Sequence, residues 1–165
     1  MPDVDRLASA GAPLLLAVPD VTSYLLGTWS VERELLDRSV RVAGTFRGTA
    51  TFRLVSGSPG APDGAALPLE HAESGELSWS GVVGTAERTL WMHPEPDGTA
   101  RVRFGDGRAF HDLDLRTGRW IAHHPCAADT YTGTFTVRSD DEWRVRWDVT
   151  GPTKDQRLST VYRRT

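Results

Sequence analysis

Residues 123–131, His-His-Pro-Cys-Ala-Ala-Asp-Thr-Tyr, gather two histidines, the sole cysteine, an aspartate and a tyrosine into nine positions. Zinc prefers imidazole and thiolate ligands, so His124, Cys126 and His123 with His111 or Asp129 make one conceivable set. The spacing argues against it: the chain has no Cys-x-x-Cys or His-x-x-x-His pair, and adjacent histidines on a strand face opposite sides. No metal site is expected. A single inward imidazole suffices for a haem iron, which keeps haem as a lesser alternative; otherwise no cofactor is expected. Cys126 could act as a nucleophile with His124 as base and Asp129 orienting it, although a cysteine on an inward face more often serves as a small buried hydrophobe. The plainest reading is a corner. Pro125 interrupts a ladder, Ala127 and Ala128 turn the chain, Asp129 accepts from freed amides, and Tyr131 re-enters the fold.

Which of these holds depends on the elements around the segment. Helical periodicity is nearly absent, whereas period-two alternation recurs from residue 28 to the end. Trp29, Val31, Arg33 and Leu35 share one parity, as do Phe46, Gly48, Ala50, Phe52 and Leu54. The same face continues through Leu77, Trp79, Gly81 and Val83, then Arg88, Leu90 and Met92, then Val102 and Phe104, then His111, Leu113 and Leu115. Trp120, Ala122, His124 and Cys126 follow, and after them Tyr131, Gly133, Phe135 and Val137. Trp143, Val145, Trp147 and Val149, with Leu158, Thr160, Tyr162 and Arg164, complete it. Asp97-Gly98, Asp106-Gly107 and Thr117-Gly118 suit tight hairpins, so neighbouring strands pair antiparallel. One short helix is expected at residues 20–27, capped by Asp20 and stopped by Gly27. The Pro- and Gly-rich stretch 56–68 reads as a long loop at an open mouth.

Nine or ten strands, each with a single apolar face, are best accommodated by an all-β fold: one antiparallel up-and-down β-barrel of about 8–10 strands, which removes exposed edges and leaves room for one small ligand. Residues 20–165 form this domain and residues 1–19 a mobile or loosely docked arm. At 165 residues, one core is the default. The net charge of −3, dispersed along the chain, carries no footprint for nucleic acid or an anionic membrane, so neither is expected as a partner. A single cysteine makes no intrachain disulfide, and the acidic start with its short apolar run is unlike a secretory leader, so a cytoplasmic setting is expected.

The segment Tyr24-Leu-Leu-Gly-Thr-Trp29 resembles the opening of the calycin superfamily, to which lipocalins and fatty-acid-binding proteins belong. There a short helix leads into a strand bearing Gly-x-Trp. The resemblance implies that Trp29 lies at the closed end of the barrel beneath Arg163 or Arg164. More closely, GTWSVER (27–33), DGRAFHDLDL (106–115), HPCAADTY (124–131) and WDVTGPTKDQRLSTVYRR (147–164) resemble an uncharacterised lipocalin-like family, a domain of unknown function. That family implies the barrel but no activity.

Removing apolar positions from the inward face leaves Arg33, Arg88, His111, His124, Cys126, Tyr131, Thr160, Tyr162 and Arg164. A buried guanidinium needs a partner, and Asp129 is the nearest inward acid. A lumen richer in cations than anions favours a ligand with an anionic head. The expected function is binding of a small, largely apolar molecule with an anionic or polar head. Arg33, Arg88, His111, His124, Tyr131 and Tyr162 would make polar contacts, and Trp143 and Trp147 would line the wall with Trp29, Phe46, Phe52, Trp79, Val102 and Phe104. The alternative is a small-molecule enzyme, of isomerase, cyclase or hydrolase type, in which Tyr131 and His111 or His124 act as acid and base. The turn carrying Lys154 and Asp155 is expected to face water.

Overall fold

Apolar and polar residues alternate through ten strands in the computed structural model, which describes residues 14–56 and 63–165. The expectations for residues 1–13 and 57–62 lie outside the described residues. The strands are β1 (Gly27–Asp37), β2 (Val42–Leu54), β3 (Leu69–Trp79), β4 (Val82–Pro94), β5 (Ala100–Phe104), β6 (Ala109–Leu113), β7 (Arg119–Cys126), β8 (Asp129–Ser139), β9 (Glu142–Thr150) and β10 (Asp155–Arg164). One short helix, α1 (Val21–Leu25), precedes them, and the Asp20 side chain accepts from the backbone N–H groups of Thr22 and Ser23.

All pairings are antiparallel, in the order β6-β5-β4-β3-β2-β1-β10-β9-β8-β7. β10 docks beside β1 and curls the sheet into a nearly closed barrel. The remaining seam lies between β6 and β7, where the Trp120 Nε1–H of β7 donates to the Asp112 carbonyl of β6 at 2.8 Å. Opposite the seam, Gly48 of β2 faces Gly75 of β3. A Cβ on Gly48 would lie 2.1 Å from the Ser74 carbonyl oxygen, so only hydrogen there permits so close an approach.

The inward positions are not uniformly buried. At the helix end Trp29, Val31, Leu69, Met92, Val102, Leu113, Ala122, Val137, Trp143 and Tyr162 are all buried. Towards the other end the same face carries Leu35, Leu77, Trp79, Phe104, His124, Tyr131 and Leu158, each half-buried. The barrel is therefore packed fully at the helix end, its filled half, and less completely at the other, its open half, where Phe46, Trp147 and Val149 are still buried.

The closed end is tied by several local devices. Leu16 and Val18 donate backbone N–H groups to the carbonyls of Val137 and Leu115, both at 3.0 Å. The Trp29 Nε1–H donates to the Leu25 carbonyl at 2.8 Å, and the Arg164 guanidinium lies 4.1 Å over the indole. Arg164 also donates to the carbonyls of Tyr24 and Leu26.

Two expectations about the strands are corrected. Gly81 and Val83 do not continue the strand of Leu77 and Trp79, because Ser80 and Gly81, with φ of 50° and 79°, form a two-residue hairpin turn. Pro125 does not interrupt its ladder. It pairs with Thr130, and the chain turns at Ala127-Ala128, where Ala127 takes a φ of 54°. A proline is tolerated here because β7 borders the seam and needs hydrogen bonds on one side only.

Candidate functional site

The parity that places Leu77 inward extends back along β3 through Gly75, Glu73 and His71 to Leu69. It sets a carboxylate in the middle of the barrel. Glu73, 3% exposed, is the hub of a polar cluster. Its Oε1 accepts from Arg33 Nη2 at 3.0 Å, Arg88 Nη2 at 2.9 Å, His71 Nε2 at 3.1 Å and the Tyr162 hydroxyl. Its Oε2 accepts from Arg33 Nη2 at 2.9 Å. Arg33 Nε also donates to Thr160 Oγ1 at 2.8 Å.

Burial opposes ionisation of Glu73, but the His71 hydrogen bond and the charges of Arg88 and Arg33 outweigh it and hold the carboxyl well below its ordinary range. Burial and the nearby Glu73 charge push the Tyr162 phenol up, so it stays a donor. Burial also lowers His71 despite Glu73, leaving a neutral ring that gives its Nε2 proton to the carboxylate. One negative charge thus faces two guanidinium ions, and the cluster is net positive by one. The two arginines are not equivalent. The Arg33 side chain is 11% exposed and enclosed, whereas that of Arg88 is 39% exposed and reaches Glu73 from the open half.

A second group of side chains lines the opposite wall. In the β5–β6 pairing Val102 faces His111 and Arg103 faces Ala109, which leaves Phe110 as the extra residue of a β-bulge. Bulges re-aim side chains, and this one turns two consecutive residues toward the lumen. Phe110 stacks on Phe104 at 4.3 Å and on Trp147 at 5.1 Å, with interplanar angles of 13° and 18°. His111 packs against Phe135 and Trp147. The Trp147 indole has room because its cross-strand partner is Gly133, where a Cβ would lie 2.8 Å from the ring.

His111 Nδ1–H donates to the Asp112 carbonyl at 2.7 Å, which leaves Nε2 as an acceptor. Burial, chiefly, lowers its pKa to about 4, with smaller contributions from the nearby His124 and Arg88. His124 lies edge-on to Phe104, Phe110 and Tyr131. Above them Lys154 bridges Asp129 at 2.9 Å and donates to the Tyr131 hydroxyl at 3.4 Å.

The fold therefore brings Arg33, Arg88 and Tyr162 together at Glu73, and His111, His124, Tyr131 and Trp147 together across the lumen. Trp143 stacks flat on Tyr162 at 3.8 Å, and Trp29, Phe46, Phe52 and Val102 among the expected wall residues are buried as well. Trp79 and Phe104 stand nearer the opening. Cys126 does not face the lumen: it is the last residue of β7 and exposed at the rim. His123 is exposed on the outer face. Asp129 does not serve the inward arginines, since it pairs with Lys154, and Lys154 is accordingly held rather than free. Among the described residues no three of His, Cys, Asp and Glu converge as metal ligands.

Sequence reasoning missed Glu73, His71 and Phe110. The two inward arginines signalled that an acid was needed, and running the β3 alternation backwards would have located it. Phe110 carried no such signal, because a bulge breaks the rule by which inward residues are counted.

Two concavities adjoin the lumen. An apolar one of about 190 Å³ lies at the rim between Leu35, Leu77, Trp79 and Leu158. A cleft of about 460 Å³ runs along the seam, lined by Arg101, Arg103, Phe110, His111, Asp112 and His123.

No curated protein matches the sequence. In fold the chain is similar to the S-type phycobiliprotein lyase CPES from Guillardia theta, with a TM-score of 0.66 and 10% identity over 91% of this chain and 93% of that one. A DUF3598-family protein of unknown function from Nostoc punctiforme aligns with a TM-score of 0.47 and 13% identity over 94% of this chain and 53% of that one. A de novo designed fluorescence-activating β-barrel aligns with a TM-score of 0.44 and 20% identity over 88% and 98%. The first of these likenesses agrees with a lipocalin-like barrel. Residues 25–164 match the family of unknown function DUF6314, and the chain belongs to that family.

Proposed function

We propose that the open half of the barrel binds a small, largely apolar molecule and that Arg88 holds its anionic or polar head. One observation carries this reading: a single buried carboxylate serves two arginines, and the more exposed guanidinium faces the opening. Arg88 gives one Nη2 hydrogen bond to Glu73, and its partial exposure leaves donor capacity for a ligand. Half-buried apolar residues of the same inward face, Leu35, Leu77, Phe104 and Leu158, supply a greasy wall of the kind small-molecule sites use.

The acid–base alternative finds no support in His111. An imidazole held at about 4 is a weak base near neutrality, where a general base works best with a pKa close to the working pH.

Calorimetric titration with decanoate and with decanol separates head from tail. Decanoate is expected to bind tighter than decanol, and Arg88→Gln is expected to cost decanoate roughly tenfold or more and decanol less, since a hydrogen bond to a charged group contributes about 1.5–3 kcal/mol and the ion-paired carboxylate gains more from the guanidinium than a neutral hydroxyl does. Equal affinities of the two ligands for the wild-type protein would remove Arg88 from the proposal. Absence of binding by both would remove the pocket.

A further inference from the structure

Phe110 occupies an unusual position. It is the unpaired residue of the β5–β6 bulge, on a five-residue strand that is hydrogen-bonded on one side only. Its ring nevertheless sits in a near-parallel stack between Phe104 and Trp147, which are carried by strands far apart in the sheet order. The same side chain borders the 460 Å³ cleft along the seam, so the ring has space beside it on the side away from the lumen. A slot one aromatic ring thick is thus closed by a side chain on the least supported strand of the barrel. The edges of His124 and His111 meet the Phe110 ring, at 5.1 Å and 4.7 Å between centroids. Arg88 stands on the same lumen, where its Nη2 reaches the buried Glu73 carboxylate at 2.9 Å while the side chain stays 39% exposed.

We propose that the ligand of this barrel is a planar aromatic anion, whose ring takes the slot between Phe104 and Trp147 after Phe110 swings into the seam cleft, and whose anionic group rests on Arg88. This rests on the binding function proposed above and narrows it to a ligand class. Faces of aromatic rings stack favourably on Phe and Trp, whereas a saturated ring of the same size is too thick for a one-ring slot. Phe110 is a placeholder in this account: it keeps the slot formed in the unliganded protein and must be displaced before the ligand seats.

Titration of the full chain with 2-naphthoate, with its saturated counterpart decahydro-2-naphthoate and with decanoate tests this, read by calorimetry and by quenching of tryptophan emission. Naphthoate is expected to bind roughly tenfold or more tighter than the saturated bicycle. Removing the placeholder in Phe110→Ala is expected to tighten naphthoate binding several-fold and to speed its association. Phe110→Leu, which keeps more volume at the bulge, is expected to shift both in the same direction if the alanine variant is poorly folded. Equal affinities for the two bicycles, or weaker naphthoate binding in well-folded Phe110 variants, would overturn the slot while decanoate binding left the broader function standing. Failure of all three compounds to bind would remove both.

Discussion

Glu73 is the residue on which the interior depends. Burying Arg33 beside Tyr162 and Phe46 without an acid would be prohibitive, and one carboxylate compensates Arg33 and part of Arg88. Glu73→Gln keeps the shape but leaves the buried guanidinium uncompensated. It is expected to lower the unfolding free energy by about 3–5 kcal/mol, measured by urea denaturation.

Titratable groups on both walls of the lumen set a pH dependence. His111 is ordinarily half-protonated at 6.5 and here at about 4, so between those values the unfolded chain binds a proton that the folded one refuses. Its contribution is complete above pH 6.5 and is lost as pH falls towards 4. Glu73 is depressed from an ordinary 4.5, so its contribution is complete above that value and is lost progressively below it. Urea midpoints are therefore expected to fall in two stages on acidification, and His111→Phe should remove the decline between pH 6.5 and 4 that His111 causes, leaving the part due to His71 and His93, whose pKa values burial also lowers.

Much of this was legible residue by residue. Arg33, Arg88, His111, His124, Tyr131 and Tyr162 face inward because strand parity is a strict geometric rule. Glu73 was hidden because Glu70 to Glu76 is polar on both parities, so the apolar signal that marks a strand is missing where the lumen is itself polar.

At the level of elements, the helix, the antiparallel strands and the Gly-x-Trp opening follow from local propensity and turn chemistry, and they appear where alternation puts them. The exceptions are places where the chain departs from ideal geometry: the bulge that adds Phe110, the positive-φ turn at Ser80-Gly81, and the proline in a ladder that needs only one side. None of these has a strong composition signature. Among the ties at the closed end, one side chain makes several. Arg164 combines a stack over Trp29 with hydrogen bonds to carbonyls left free around α1. Arg164→Ala is expected to cost about 2 kcal/mol, because both the cation–π contact and the capping of carbonyls disappear. Arg164→Lys should recover less than half, since a single ammonium cannot reach the same set of carbonyls. Thermal unfolding of the three proteins checks the order.

For the molecule as a whole, the decisive feature is the axial gradient: the same inward face is sealed around Trp29, Trp143 and Tyr162 and open around Arg88, His124 and Tyr131. A barrel that served only as a scaffold would gain by filling both halves, because each half-buried inward apolar side chain forgoes part of the about 1.5–3 kcal/mol that full burial brings. The open half is therefore read as a site, and its polar floor as the part that recognises a head group.

Chemical-shift mapping of the labelled protein titrated with decanoate tests this most directly. The account predicts that the largest changes fall on Arg88, His111, His124, Tyr131 and the Trp147 indole, with Trp29 and Trp143 at the closed end nearly still. Changes confined to the outer faces of the strands, with Arg88 and Trp147 unmoved at saturation, would contradict it.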